Sequence, residues 1–258
     1  MKRYTKWLSV SLALIMLLTL LPGCGKNPTG NGEQIGTDPR DTLRVALTSE
    51  PPSLGIYDHS ALISVQMNVQ MFNGLMRIDN ATLDPVCDLA ESYSVENEVE
   101  WTFPLRKGVK FHNGDEMKAD DVVASMNRWM ELSPKAKTLI GGSVFEKVDD
   151  YTVKLTVNEP SSDIIMVLAS PIQFAAIYPK SVVDSASDEG VKEYIGTGPY
   201  KVAEWKQDQY VKLEKNEDYQ PAEGKSSGLA GAKNAQADTI TFNIVTDTAT
   251  RIAGVQNG

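Results

Sequence analysis

Short segments in which apolar and polar residues alternate recur through this 258-residue chain, and they constrain its fold more than any other feature. The clearest runs from Tyr151 to Val157, and a period of two predicts a half-buried β-strand. The same pattern predicts strands at Leu43–Leu47, Trp101–Leu105, Tyr200–Trp205, Tyr210–Leu213 and Thr239–Ile244. Pro104 has no amide hydrogen, so we expect the strand that contains it at a sheet edge or at a bulge.

Two longer segments predict helices. Residues 62–76 are rich in methionine and other helix formers, and we expect this helix to bury its methionines in the core and to end near Gly74. Residues 119–130 place apolar side chains at helical spacing. Asp120 and Asp121 fall in the first turn of that helix, where the helix dipole favours acids. We therefore interpret this acid pair as a helix start and not as a metal or catalytic dyad.

Two shorter segments complete the predicted helices. They cover residues 164–168 and 248–257, and Thr248 is the candidate N-cap of the second. Strands and helices are mixed along the chain without a strict alternation of the two. The predicted fold class is therefore mixed α/β, of the α+β kind.

The N-terminus has the pattern of an export signal. Three bases and no acid precede an apolar run over residues 7–21. That run is shorter than the roughly 20 residues that span a bilayer, so it favours a cleaved signal peptide at 1–23 over a transmembrane anchor. The segment Leu-Pro-Gly-Cys that ends at Cys24 resembles the lipobox of bacterial lipoproteins, whose cysteine carries the lipid. Residues 24–41 hold one aliphatic side chain and predict a flexible tether, followed by a folded domain at 42–258.

Composition excludes several classes of function. The net charge is −9, and without residues 1–23 it is −12, which argues against nucleic acid or an anionic lipid surface as the main partner. Only Cys87 remains besides Cys24, so no disulfide framework is expected. His59 and His112 are the only histidines, which argues against a histidine-rich metal site. Nucleophile-elbow, zinc-protease, Cys-x-x-Cys and Walker motifs are absent from the sequence. We therefore favour a binding protein over an enzyme and expect no cofactor.

Two longer segments carry a family resemblance. Residues 101–114 (WTFPLRKGVKFHNG), followed by 119–125 (ADDVVAS), closely resemble the hallmark of the family 5 extracellular solute-binding proteins. These are the dipeptide, oligopeptide and nickel receptors of bacterial ABC importers. Residues 195–200 (IGTGPY) with 214–219 (EKNEDY) resemble the second hallmark of that family. The resemblance spans about residues 42–258.

The resemblance implies a fold of the periplasmic-binding-protein type II kind, in which two lobes surround a ligand cleft. Members of the family have chains roughly twice as long as this one. We therefore expect this chain to be the N-terminal lobe of such a clamp, truncated near the hinge. In peptide-binding relatives, the acid that grips the amino terminus of the ligand lies in the other half, so this sequence is expected to provide one wall of the site.

The resemblance also implies a function. The expected protein captures peptides by domain closure and delivers them to the permease of an ABC transporter. It would work as a monomer, lipid-anchored at the extracytoplasmic face of the bacterial cell membrane, without nucleic acid as a partner. The alternatives are a nickel, nickel-chelate or oligosaccharide receptor of the same fold, and a surface lipoprotein that senses or chaperones peptides without transport.

By the same resemblance, the loop after the first strand is the first candidate for the ligand-binding wall, because its hydroxyls and carbonyls suit a peptide main chain. A simple strand-ending turn is the alternative. The candidates in this loop are Ser49, Glu50, Pro51, Ser53 and Leu54. Further candidates are Phe72, Asn73 and Phe174. The segment 101–114 is interpreted as structural, and His112 as a hydrogen-bonding or solvent-facing residue and not a metal ligand.

Overall fold

Three β-sheets and the helices packed on them make up the part of the chain that the structure, a computed structural model, describes: residues 41–56, 61–188 and 190–257. The strands are β1 (Thr42–Leu47), β2 (Met76–Ile78), β3 (Pro85–Cys87), β4 (Ser94–Glu96), β5 (Glu100–Pro104), β6 (Val144–Asp149), β7 (Thr152–Thr156), β8 (Tyr200–Lys206), β9 (Tyr210–Lys215) and β10 (Thr239–Ile244). The helices are α1 (Leu62–Met71), α2 (Ala119–Leu132), α3 (Pro134–Ile140), α4 (Ile164–Ala169), α5 (Lys180–Asp184) and α6 (Thr248–Asn257).

Some of the predicted features lie outside the described residues. They are the signal peptide at 1–23, the lipidation candidate Cys24, the tether as far as residue 40, and His59. Within the described ranges, no helix is both long enough and apolar enough to cross a membrane.

The first sheet joins the two ends of the folded part. Its strand order is β1-β10-β9-β8. β1 runs parallel to β10, with Thr42 opposite Thr239 and Leu47 opposite Ile244, while β10, β9 and β8 pair antiparallel. The hydrophobic cluster associated with this sheet includes Met67 and Met71 of α1, both 0% exposed. The predicted core role of these methionines is confirmed.

The second sheet has the order β4-β5-β7-β6, with every neighbouring pair antiparallel. Its buried face contains alternating apolar residues of β5 and β7, as the period of two predicts. Helix α2 supplies Val122, Met126 and Trp129 to the same cluster, each at most 1% exposed. At the start of this helix, the Asp121 carboxylate accepts the backbone N–H of Lys118 at 2.9 Å. The interpretation of the acid pair as a helix start is therefore confirmed.

The sheet-edge alternative for Pro104 is wrong, because β5 is an inner strand paired with both β4 and β7. The alternative of a bulge agrees with the structure, because the pairing on the β4 side changes register beside Pro104. β4 is shorter than β5 and ends opposite Thr102. The carbonyl of Pro104 lies past that end and accepts the N–H of Glu91 at 2.8 Å. On this side of β5 the regular pairing stops at Thr102, opposite Ser94, and resumes at Leu105, opposite Ala90, with one extra residue in the segment 90–94. A proline fits at such a bulge, because no regular ladder needs its missing amide hydrogen.

Two predicted element boundaries are also wrong. Helix α1 ends at Met71, before the predicted Gly74, and the backbone is extended at Phe72. The chain straightens there and soon enters β2, which pairs with β3. At α6, the residue before the helix provides the cap in place of Thr248, since Asp247 Oδ1 accepts the N–H of Thr250 at 2.8 Å.

His112 joins the two segments that carry the family resemblance. Its backbone N–H donates to the carbonyl of Gly196 at 2.9 Å, and its Nδ1 accepts the N–H of Gly196 at 3.2 Å. The ring proton is therefore on Nε2, which donates to the carbonyl of Gly198 at 3.2 Å. Both ring nitrogens are occupied, so the structure gives His112 the predicted hydrogen-bonding role.

Gly196 and Gly198 are glycines because the chain passes too close to the end of α1 for a side chain. A Cβ on Gly196 would lie 2.2 Å from the carbonyl oxygen of Met71, and one on Gly198 would lie 2.5 Å from that of Gln70. The close approach allows Gly198 to donate its N–H to the Met71 carbonyl at 2.8 Å. The loop before β8 therefore also satisfies a carbonyl in the last turn of α1.

We predict that His112 makes the fold acid-sensitive. Burial lowers the pKa of His112 from 6.5 to about 4, so between these values the unfolded chain binds the proton and the folded chain does not. Stability should therefore fall by up to about 3 kcal/mol as the pH drops from 6.5 to 4. His112→Gln removes this titration. In urea unfolding, the stability advantage of the wild type over the variant should shrink with acidification, and a constant difference would contradict the assignment.

Candidate functional site

The loop after β1 (residues 48–56) is anchored at its first half by Glu50. One carboxylate oxygen of Glu50 accepts the indole N–H of Trp205 at 2.6 Å, and the other accepts the backbone N–H of Asp208 at 3.1 Å. Both donors belong to the β8–β9 hairpin. The carboxylate therefore fixes the loop against the first sheet.

The second half of the loop rests on α1 and on the chain around Tyr178. The Ser53 hydroxyl accepts the N–H of Gly55 at 2.9 Å, and the Ser53 carbonyl accepts the hydroxyl of Ser64 at 2.7 Å. Ile56 donates its N–H to the hydroxyl of Tyr178 at 3.1 Å. These bonds hold the loop in one shape, which a binding wall needs if it is to order a ligand at low entropic cost.

The predicted wall residues divide by exposure. In the loop, Ser49 is exposed and Ser53 is half-buried, while Pro51 and Leu54 are buried. Leu54, Phe72 and Phe174 lie in one hydrophobic cluster, and the Phe72 ring centroid is 4.7 Å from that of Tyr178. The structure thus brings together candidates that are far apart in the sequence. Of the two serines, Ser49 is the one exposed to solvent, while the Ser53 hydroxyl is used within the loop.

Asn73 belongs to a buried polar group, which we call the Asp88 cluster (Asn73, Arg77, Asp88 and Lys233). The side-chain amide of Asn73 donates to the two carboxylate oxygens of Asp88 at 2.9 and 2.8 Å. Arg77 Nε donates to Asp88 at 3.1 Å, and Lys233 Nζ lies 3.8 Å from the same carboxylate. Arg77 and Asp88 are 1% and 3% exposed. The cluster connects the end of α1, the β2–β3 pair and the loop that precedes β10.

Arg77 links this cluster to the phenylalanine candidates. Its Nη2 donates to the carbonyl of Phe72 at 2.7 Å, and its guanidinium carbon lies 3.7 Å from the centre of the Phe174 ring, a cation–π contact. The three candidates outside the loop therefore converge on one ion pair. Our sequence reasoning missed that pair, although Arg77 stands alone among apolar residues at 75–78.

The cluster contains more positive than negative charge. Burial by itself would raise the pKa of Asp88, but the charges of Lys233 and Arg77 and the bonds from Asn73 hold it below its usual value. Burial lowers the pKa of Lys233 to about 8, and the attraction of Asp88 offsets this only in part. One carboxylate cannot compensate two buried bases, so the charge on Lys233 is held at a cost.

No metal or nucleophile site emerges from these residues. Within the described ranges, no group of three or more His, Cys, Asp or Glu side chains is placed to hold a metal ion. Cys87 is a free, half-buried thiol, and burial raises its pKa, so the unreactive thiol form prevails at neutral pH.

We predict that Lys233→Met stabilises the protein at pH 7. The folded pKa of Lys233 is about 8, against 10.5 unperturbed. The folded state therefore binds the proton more weakly, and stability rises with pH between these values. The variant should gain on the order of 2 kcal/mol at pH 7 and little near pH 10.5. Lys225→Met, an exposed position of the same loop, is the control. Equal destabilisation by Lys233→Met at pH 7 and pH 10.5 in urea titrations would contradict this account.

Two comparisons place the sequence among known proteins. Residues 84–258, more than half of the chain, match the family described as bacterial extracellular solute-binding proteins, family 5 Middle. The glutathione-binding protein GsiB of Salmonella typhimurium strain LT2 is 32% identical over 218 residues, covering 83% of this chain and 40% of GsiB. The chain thus spans about 40% of the length of these curated relatives.

Solved structures share the fold. The oligopeptide-binding protein AppA from Bacillus subtilis, in complex with a nonapeptide, superposes with a TM-score of 0.69 at 27% identity, covering 84% of this chain and 42% of AppA. PBP AgaA from A. tumefacien R10, in complex with agropinic acid, gives a TM-score of 0.68 at 29% identity, with coverage of 84% and 42%. The predicted mixed α/β fold, of the type II periplasmic-binding-protein kind, is confirmed. The chain belongs to the bacterial extracellular solute-binding proteins of family 5.

Proposed function

We propose that residues 42–257 form one lobe of a two-lobed receptor and that the loop after β1 lies on the ligand-facing side of that lobe. Family membership and the coverage of about 40% of each relative support this reading. A ligand held between two lobes gains most of its contacts on closure. One lobe then contributes a rigid wall, which is what the hydrogen bonds of Glu50 and Ser53 provide.

We further propose that the ligand is a short peptide. One protein similar to this chain is named for glutathione binding, and another was solved in complex with a nonapeptide. Glutathione is itself a tripeptide. The observation that carries the proposal is the exposed Ser49 on a loop fixed at both ends. A hydroxyl both donates and accepts hydrogen bonds, so it can pair with the N–H or the C=O of a peptide main chain.

The captured peptide would then pass to the permease of an ABC importer. The proposed receptor works outside the cytoplasmic membrane, held there by a lipid on Cys24, as the sequence Leu-Pro-Gly-Cys suggests. The relatives are binding proteins, and the role we assign to this chain is likewise binding without catalysis.

We predict that Ser49→Ala weakens peptide binding by the full-length gene product. Loss of one hydrogen bond, worth about 1 kcal/mol, corresponds to roughly five-fold in affinity. Calorimetric titration with glutathione, tri- to hexapeptides, nickel–histidine and oligosaccharides measures both affinity and ligand class. Ser181→Ala, an exposed serine on α5, should leave the affinity unchanged. Binding of only the nickel chelate or a sugar would overturn the peptide assignment, and equal affinities of the two variants would remove Ser49 from the site.

We predict that Cys24 is the site of lipid attachment. Cells that express the protein should incorporate radiolabelled palmitate into it and retain it in the membrane fraction. Cys24→Ala should abolish both, whereas Cys87→Ala should abolish neither, because that thiol lies within the fold. Equal labelling of the wild type and Cys24→Ala would contradict the anchor.

A further inference from the structure

The two edge strands of the second sheet, β4 and β6, differ in whether their outward-pointing N–H and C=O groups are hydrogen-bonded. Val157 donates its N–H to Val99, and Leu105 donates its N–H to Tyr151, so the odd-numbered residues of β5 face β7. In antiparallel pairs, bonded and non-bonded residues alternate. The even-numbered residues of β5 therefore face β4. Val95, which lies opposite Trp101, turns its N–H and C=O away from the sheet.

At the opposite edge, strand β6, outward-pointing N–H and C=O groups are hydrogen-bonded to a side chain. The same alternation makes Phe145 the outward residue of β6. The Asn127 side chain on α2 accepts the N–H of Phe145 at 2.9 Å and donates to its C=O at 3.0 Å. One amide side chain thus takes the place of a neighbouring strand, which is a recognised way to protect a sheet edge. Among the residues that the structure describes, none caps Val95 in this way.

A groove lies beside the open edge. It has a volume of about 360 Å³. Its lining residues are Val95, Glu98, Trp101, Pro160, Ser161 and Ser162. Trp101 is 8% exposed, and its buried indole N–H has no acceptor among the described residues, although a buried indole N–H usually finds one. The Tyr93 ring stacks on Trp101 at 5.9 Å between centroids. Val95, Trp101 and Pro160 therefore give the groove an apolar wall.

The edge is also acidic. Residues 91–100 contain four glutamates and no base. Glu100 pairs with Lys154 at 3.2 Å, whereas Glu96 and Glu98 are exposed. Pairing of two copies of this chain along β4 would bring these acids against their equivalents, which is unfavourable. A basic partner would meet complementary charge.

We propose that the β4 edge docks an extended, basic segment of a partner protein by strand addition. The segment pairs its backbone with the N–H and C=O of Val95. Its lysine or arginine side chains lie against Glu96 and Glu98, and an apolar side chain enters the groove beside Trp101. Backbone pairing supplies affinity and the groove supplies selectivity, as in other cases of β-augmentation. This surface is separate from the loop after β1, so the inference does not depend on the identity of the transported solute.

The test uses a fluorescein-labelled peptide, acetyl-KVKVKVK-amide, and fluorescence anisotropy with the intact protein. We expect saturable binding, at least about tenfold tighter than that of EVEVEVE and of a backbone N-methylated KVKVKVK. In amide NMR spectra, the signals of Val95 and Glu96 should shift on binding, while that of Phe145, on the capped edge, should not. Equal binding of the acidic or the N-methylated peptide would overturn the proposal.

Two sets of variants locate the contact. Val95→Pro removes the outward N–H without touching the β4–β5 ladder and should weaken binding at least about tenfold. Val95→Thr keeps the amide and should stay within about twofold. If Val95→Pro fails to fold, the Glu96→Lys/Glu98→Lys double variant decides: it should lose binding to a similar degree. Unchanged binding in that variant, or a dimer in sedimentation that Val95→Pro dissociates, would refute docking of a basic segment.

Discussion

The buried carboxylate of Asp88 determines how several parts of the fold meet. It lies within hydrogen-bond distance of Asn73 and Arg77 and close to Lys233. Those residues come from the end of α1, from β2, and from the loop before β10. Arg77 and Asp88 form the close ion pair of this cluster, at 3.1 Å, and breaking a buried ion pair typically costs about 3–5 kcal/mol because one charge is left uncompensated. The chain around Phe72 and Phe174 is thus held by an electrostatic constraint as well as by packing.

For the proposed binding wall, this constraint would provide rigidity from the side of the core. Arg77 bonds the carbonyl of Phe72 and lies on the ring of Phe174, while Glu50 ties the loop after β1 to the first sheet. A wall that is already ordered loses little entropy when a ligand arrives. The conformational change of the proposed receptor can then be concentrated in the closure of its lobes. This arrangement leaves an excess of positive charge around Asp88. The excess destabilises the charged form of Lys233, whose pKa burial lowers to about 8.

Sequence patterns predicted the elements whose determinants are local. The alternation at 151–157 and the helical spacing at 119–130 are long enough to reveal their period, and both elements are present. β2, β3 and β4 have three residues each, too few to display any period. Pro104 indicated a sheet edge or a bulge without deciding between them, because that depends on the length and register of β4, which the proline itself does not reveal.

The candidate site also contains some residues that local sequence patterns reveal and others that only the fold reveals. The serines of the loop after β1 could be named before the structure, because the family resemblance pointed to that loop and its prolines and hydroxyls are visible in the sequence. The Asp88 cluster could not, since Asn73 and Lys233 are far apart in the sequence and no spacing rule connects them. Family resemblance supplied Phe72, Asn73 and Phe174 as separate candidates, and the fold shows that a single arginine and its carboxylate join them.

The second sheet illustrates how one protein can protect one edge and leave the other available. A covered edge needs a side chain that presents both a donor and an acceptor, and Asn127 does so for Phe145. At β4, charge takes over that protective role, because Glu96 and Glu98 repel an identical edge. A side-chain cap blocks the edge against any incoming strand, whereas acidic side chains oppose only a strand of like charge. In the docking that we propose, the exposed acids of β4 disfavour a second copy of this chain and favour a basic strand, so the same side chains define the chemistry of the partner.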